Sequence, residues 1–186
     1  FLKKIDISKI EAGQVNLKIE KIELKLLIDQ IFSTIKPLIN EKDIKIKYNG
    51  ISPKQVIKAD RIKFKQILYN LLSNAIKFTI EGQVTLTFFD KKDYWEFNVK
   101  DTGVGITEED FDLIFKDFKR VKSPFIEKIP GSGLGLALTR RIIHLHGGDI
   151  SFKSKLGKGT TFTFTIPKEF KGKNEFLSVD DFLSCL

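Results

Sequence analysis

The stretch Asp60–Thr79, DRIKFKQILYNLLSNAIKFT, constrains this chain more than any other. At helical spacing Ile67, Leu68, Leu71, Leu72, Ala75 and Ile76 form one apolar stripe that has to be buried. Asp60 stands where an N-cap belongs. Gln66, Asn70 and Asn74 recur every four residues, and Lys77 continues their line, so a polar stripe runs along another face. Asparagine forms helix less well than Glu or Lys, which makes it a poor choice for a plain solvated face. An amide oxygen ligates a hard cation such as Mg2+, and an amide NH2 donates to phosphate. The pattern alone leaves two readings open, a ligand-binding stripe and an ordinary polar face.

The elements around this helix alternate between strand and helix periodicity. Residues 1–15, FLKKIDISKIEAGQV, read as the end of a helix stopped by Gly13. A short strand is expected over Asn16–Lys21 and a helix over Ile22–Glu41, interrupted near Pro37. Ile44, Ile46 and Tyr48 alternate with lysines, as in a half-buried strand. Val84–Phe89 and Tyr94–Lys100 read as a hairpin around the polar turn Asp90–Asp93. Thr107 is placed to cap a short helix, with Asp110 as the capping-box acid. Phe111, Ile114, Phe115 and Phe118 supply its apolar side. A further helix opens at Gly131-Ser132-Gly133-Leu134-Gly135 and ends at Gly147-Gly148. Ile150–Ser154 and Thr161–Ile166 read as closing strands. After Pro167 the chain turns polar and then amphipathic.

Composition narrows the function classes. The net charge is +8, from 32 Lys and Arg against 24 Asp and Glu. The lysines are scattered, without the basic runs or basic–aromatic alternation of a nucleic-acid binder. A solvated lysine-rich surface is the expectation, and no nucleic acid is assigned as partner. The single cysteine, Cys185, rules out an internal disulfide framework and fits a reducing, cytoplasmic compartment. No apolar run reaches membrane-spanning length. The chain begins at Phe1 and has no methionine, so it reads as a piece of something longer, whose parent could carry a membrane anchor.

Two glycine-rich stretches carry further chemistry. Asp101-Thr102-Gly103-Val104-Gly105-Ile106 follows a strand directly. A carboxylate there accepts from an adenine amine and repels a guanine carbonyl, and glycines let backbone approach a ligand. The alternative is an ordinary strand–turn–helix corner. Gly131–Gly135 precedes a helix, where backbone N–H groups can face phosphate. It lacks the GxxxxGK[ST] pattern of a Walker loop, and no strand leads into it. His144 and His146, two apart on a helix, point to different sides and read as structural groups near its end.

Four ordered motifs together resemble the ATP-binding catalytic domain of sensor histidine kinases, in the wider family shared with gyrase B, the Hsp90 chaperones and MutL. They are QILYNLLSNAIKFT (the N box), DTGVGI (the first glycine box), IFKDFKRV (the F box) and GSGLGLAL (the second glycine box). GKGTTFTFTIP is similar to the family's last strand pair. The resemblance implies a two-layer α/β sandwich (a Bergerat fold) of a mixed, largely antiparallel sheet with about three helices on one face. It implies a domain over residues 16–168, preceded at 1–15 by the remnant of a dimerisation helix and followed at 169–186 by a tail or linker. It also implies ATP and Mg2+ as cofactors. By matching motif positions, Asn70 and Asn74 hold Mg2+ and phosphate oxygens, and Lys77 reaches phosphate. Asp101 reads the adenine amine, with Gly103, Gly105, Ile106 and Phe115 around it. Gly131, Gly133, Leu134 and Gly135 wrap the phosphates, and Thr161 supports the adenine pocket. Lys119–Pro130 is expected to form a mobile lid, beside which Arg120 meets the γ-phosphate. Gln66 stands where the chaperone and topoisomerase branch has its catalytic glutamate. A glutamine is no general base, which argues for phosphoryl transfer to a partner. Asn70, Gln66 and Arg120 are thus the expected catalytic set. The implied partners are a histidine-bearing dimerisation domain and, downstream, a response regulator, with a homodimer in the full-length protein. No phosphoacceptor box occurs in this sequence. A nucleotide-sensing scaffold without phosphotransfer, and a chaperone- or topoisomerase-type ATPase, are the rival readings.

Overall fold

The computed structural model describes residues 16–39, 42–119 and 133–170. The expected helix tail at 1–15 and the tail at 171–186 lie outside the described residues, as does the expected lid apart from Lys119. In chain order the elements are β1 (Ile19–Glu23), α1 (Leu24–Ile35), a 3-10 turn (Lys36–Ile39), β2 (Ile44–Asn49), β3 (Val56–Asp60) and α2 (Arg61–Phe78). Then follow β4 (Gly82–Asp90), β5 (Tyr94–Asp101), a second 3-10 turn (Glu108–Leu113), α3 (Gly135–Leu145), β6 (Ile150–Lys155) and β7 (Gly159–Pro167).

Five strands form a mixed sheet in the order β2-β4-β5-β7-β6. Only β2 and β4 run parallel. Parallel neighbours need a crossover, and α2 lies within it, so topology itself brings that helix over the sheet. Strand alternation then sorts the two faces. The row Tyr48–Leu86–Val99–Phe162–Phe152 and the row Phe88–Phe97–Phe164–Ile150 turn toward the helices. The row Lys47–Thr85–Lys100–Thr161–Lys153 belongs to the opposite side, which is exposed at Lys100 and Lys153 and buried at Thr85. Phe97 stacks on Phe164 at 4.8 Å and meets Phe64 of α2 edge-on at 5.2 Å, joining the two layers. α1 adds Leu24, Leu27, Ile28, Ile31 and Ile35 to this core, and α3 adds Leu138, Ile142 and Ile143.

The ends of α2 are pinned with few polar groups left over. The Asp60 carboxylate accepts from Lys63 N at 3.0 Å, the expected N-cap, and from Lys18 N at 2.9 Å. At the C-terminus the Lys42 ammonium donates to the carbonyls of Ile76, Lys77 and Thr79 at 2.8, 3.1 and 2.9 Å. Val104 N donates to Phe78 O, and both the N–H and the hydroxyl of Thr79 donate to Ala75 O. The carbonyls that a helix end leaves without partners are thus satisfied, and a cation sits at the negative end of the dipole. α3 ends in a Schellman motif: Gly147 N reaches His144 O, and Gly148 N reaches Ile143 O. Gly147 has φ +76, a conformation that disfavours a side chain.

Several expectations shift in detail. The first strand runs Ile19–Glu23 rather than Asn16–Lys21, because Ile19–Asp60 register pairs it with β3 in a separate two-stranded sheet. The helix expected over Ile22–Glu41 is confined to Leu24–Ile35 and tightens into the 3-10 turn at Pro37, whose ring removes a helical donor. Thr107 opens a 3-10 turn, not an α-helix, and its hydroxyl bonds the Asp110 carboxylate at 2.7 Å instead of capping a backbone N–H. Phe118, expected on an apolar side, is 66% exposed with φ +58.

Candidate functional site

The inner face of the sheet becomes polar where β5 ends. Beyond the aromatic rows, Val84 pairs with Asp101, and Thr160 pairs with Ser154. The Asp101 carboxylate bridges the two pairs. Its Oδ1 accepts from Gly103 N at 2.9 Å and from Thr160 N at 3.1 Å. Its Oδ2 makes no hydrogen bond among the described residues. Asp101 is 6% exposed, and burial pushes its carboxyl above the usual range against the pull of the two N–H groups. The carboxylate is therefore held through Oδ1 by backbone bonds, while Oδ2 carries no bond to a described residue.

The loop after Asp101 is stacked on the C-terminus of α2. A Cβ on Gly103 would lie 2.3 Å from Phe78 O, so only glycine lets the loop approach this closely. Gly105 lies against the carbonyl of Lys155, and Ile106 N donates to Ser154 Oγ at 2.9 Å. Phe115 packs edge-on to Phe152 and Phe162 and lies under the Arg140 guanidinium at 5.5 Å, closing this end of the sheet.

Along α2, Gln66, Asn70, Asn74 and Lys77 share one half-buried line, as their spacing requires. Asn70 Nδ2 donates to the buried Thr139 hydroxyl at 2.7 Å. That bond fixes the amide so that Oδ1 faces the first residue of α3, where a Cβ on Gly135 would lie 2.5 Å from it. The amides of Gln66 and Asn74 make no hydrogen bond among the described residues. Lys77 lies 5.4 Å over the Phe78 ring. α3 begins beyond Leu134 with no side-chain cap and no acid in its first turn. Its first turn, at the positive end of the helix dipole, lies beside Asn70. Gly133 lies against the carbonyl of Lys119.

Arg120 and Gly131 lie outside the described residues. Thr161 belongs to the outer row, whereas its neighbour Thr160 meets Asp101. Ser154 and Thr139 are polar groups of the site that no sequence motif singled out. Strand alternation, counted from Phe162, could have found Thr160. Among the described residues no group of three His, Cys, Asp or Glu side chains could hold a metal, so a cation here would rest on amide oxygens and on its ligand.

Residues 59–170 match the model of the histidine kinase-, DNA gyrase B- and HSP90-like ATPases. The chain belongs to this ATPase family. Within the family its relatives include histidine kinases. It is 38% identical over 168 residues to the circadian input-output histidine kinase CikA of Synechococcus elongatus, covering 89% of this chain and 22% of that protein. It is 37% identical over 166 residues to the aerobic respiration control sensor protein ArcB of Escherichia coli, covering 87% and 21%. The chain thus spans about a fifth of the length of these curated relatives. Among solved structures, full-length ShkA in complex with AMPPNP superposes with a TM-score of 0.79 at 30% identity, over 93% of this chain and 36% of that one. The catalytic domain of the histidine kinase ThkA superposes at 0.71 and 30% identity, over 82% of this chain and 99% of that one. The likeness to ThkA spans nearly the whole of an isolated kinase catalytic domain, and the mixed sheet with helices on one face is that domain's fold.

Proposed function

We propose that this chain binds Mg-ATP between α2, the Asp101–Ile106 loop and the start of α3, as the catalytic domain of a sensor histidine kinase. The observation that carries this reading is the first turn of α3 set against the fixed Asn70 amide, together with an Asp101 carboxylate whose Oδ2 no described residue bonds. The donor set fits the ligand. Asn70 and Asn74 offer amide oxygens to a hard cation, and the first turn of α3 offers N–H groups to phosphate. Gly131, Gly133, Leu134, Gly135, Lys77 and Arg120 are assigned to the phosphates by their motif positions. Asp101 accepts from the adenine amine, and Gly103, Gly105, Ile106 and Phe115 shape its surroundings. ATP, when bound, supplies a transferable γ-phosphoryl group whose charge Mg2+ helps to neutralise. The chain's own contribution is to orient and to exclude water. Gln66 cannot take a proton from water, which supports transfer to a partner over hydrolysis.

The acceptor in this reading is a histidine on a separate dimerisation segment, within a homodimer that passes phosphate to a response regulator. Residues 16–168 form the catalytic domain, 1–15 the end of a dimerisation helix and 169–186 a tail or linker, in the cytoplasm. No helix among the described residues is long and apolar enough to cross a membrane. Calorimetry provides the test. ATP should bind in a Mg2+-dependent manner and GTP far more weakly, and Asn74→Ala should abolish the Mg2+ dependence. Equal binding of GTP and ATP overturns the adenine assignment, and an unchanged Mg2+ titration in the variant removes Asn74 from the metal site. Tight ATP binding without labelling of any histidine-bearing segment favours a nucleotide-sensing scaffold instead.

A further inference from the structure

Ser154, on β6, has no assigned role, yet its hydroxyl is the most connected polar group at this end of the sheet. Ile106 N donates to Oγ at 2.9 Å. Gly159 O lies 3.1 Å away and Thr160 Oγ1 lies 2.8 Å away. A serine hydroxyl has one proton and two lone pairs. Gly159 O and Ile106 N have fixed roles, the first an acceptor and the second a donor. Only one arrangement satisfies all three contacts. Ser154 gives its proton to Gly159 O, and one lone pair takes the Ile106 N–H. The other lone pair must take the proton of Thr160. The reverse arrangement, Ser154 donating to Thr160, leaves the Gly159 contact without a proton.

We propose that Ser154 is a positioning residue that consumes the Thr160 proton and so makes the Asp101–Thr160 wall an acceptor-only surface. This inference rests on the reading of that wall as the adenine site. Thr160 Oγ1, with its proton committed, offers only lone pairs, and the ionised Asp101 carboxylate, which the same residue's N–H bonds, is likewise an acceptor. Such a wall accepts an amine that reaches it directly. It leaves a carbonyl at the same position facing lone pairs. Selectivity for a 6-amino purine therefore comes from two hydroxyls and a carboxylate acting together, and Ser154 contributes without touching the ligand.

The probe is inosine triphosphate, which carries a carbonyl in place of the adenine amine and keeps the triphosphate unchanged. Dissociation constants for ATP and inosine triphosphate are measured by calorimetry on the wild-type chain and on Ser154→Ala. Loss of the Ser154 acceptor frees the Thr160 proton to rotate and donate to the carbonyl. The preference for ATP should then fall by about fivefold or more, mainly because inosine triphosphate binds better. Ser154→Thr, which restores a hydroxyl at Cβ, should restore the preference. A loss of packing alone would weaken both nucleotides together and leave their ratio unmoved. If Ser154→Ala does not fold, Ser154→Cys, with a weakly accepting thiol, should give an intermediate ratio. An unchanged ratio in a folded variant overturns the inference. Failure of the wild-type chain to bind ATP at all would instead overturn the nucleotide reading beneath it.

Discussion

At the scale of single residues, Asp101 is where stability and binding oppose each other. Burial raises its carboxyl pKa above the usual value even though two N–H groups bond it. An acid raised in the fold contributes stability that is present below its unfolded pKa and is lost as pH rises through the folded value. Above the folded value the ionised group is therefore a net cost to the unliganded fold. An amine donor on Oδ2 would relieve that cost and draw the pKa back down, so ATP binding should release protons at a pH near the raised pKa. Asp101→Asn keeps an oxygen for Gly103 N and Thr160 N but removes the charge. The unliganded variant should melt no lower than wild type, whereas ATP affinity should fall by about 1–3 kcal/mol with the charge-assisted bond. Thermal melts and calorimetry on the same preparations check both halves. A lower melting temperature would mean that the carboxylate is held for stability rather than for a ligand.

At the scale of elements, the contact between α2 and α3 sets the phosphate end. Alanine is a better helix former than glycine by about 1 kcal/mol in a helix interior, so Gly135→Ala should not destabilise α3. Its Cβ would sit 2.5 Å from Asn70 Oδ1, and the amide would have to swing away from Thr139. We expect thermal stability unchanged or lowered by only about 1 kcal/mol with the lost Asn70–Thr139 bond, together with a roughly tenfold loss of Mg-ATP affinity. A variant that binds normally would show that Asn70 need not be fixed. The far end of α3 makes a different prediction. His146 is 1% exposed, its Nε2 accepts from Asp60 N at 3.1 Å, and its Nδ1 bonds Ile142 O at 2.8 Å. Burial lowers its pKa from 6.5, so the neutral ring's contribution is complete above that pH and is lost as pH falls toward the folded value. Urea unfolding at about pH 7.5 and about pH 5.5 should show this acid-side loss, and His146→Gln should flatten it. These elements also show what a sequence displays. The N-cap, the apolar stripe of α2, the amide line and the role of His146 at a helix end were readable because they depend on spacing within one element. The site wall was not, because Asp101, Thr160 and Ser154 meet through the register of three strands. Thr161, which the resemblance implied, is one residue from Thr160, and one residue in a strand reverses the face. The Lys42 clamp was hidden for the same reason, since its partners lie 34 to 37 residues away. Phe118 sits at an apolar spacing, but its positive φ turns it to solvent.

At the scale of the whole molecule, the positions of the histidines decide what the chain can do alone. It contains two, His144 and His146. Both lie at the C-terminal end of α3, while the phosphate site is assigned to the N-terminal end. With a rise of about 1.5 Å per residue, the helix puts about 15 Å between them. His146 is buried with both ring nitrogens engaged, and His144 sits 3.3 Å from Asp149 on the surface. Neither can approach a γ-phosphate in line, and transfer depends on that geometry. Incubated with labelled ATP, the chain should take up no acid-labile phosphate. A separate dimerisation segment with its own histidine should become labelled in the mixture. The initial rate should rise in proportion to segment concentration, because the encounter is bimolecular. Fusing the segment to the chain through a flexible linker should remove that dependence, since tethering supplies an effective concentration of the order of millimolar. Self-labelling that disappears in His144→Ala would place the acceptor within this domain and overturn the assignment of transfer to a partner. If the fused and unfused segments are labelled at the same rate, presentation of the histidine is not limiting, and the slow step lies in the catalytic domain itself.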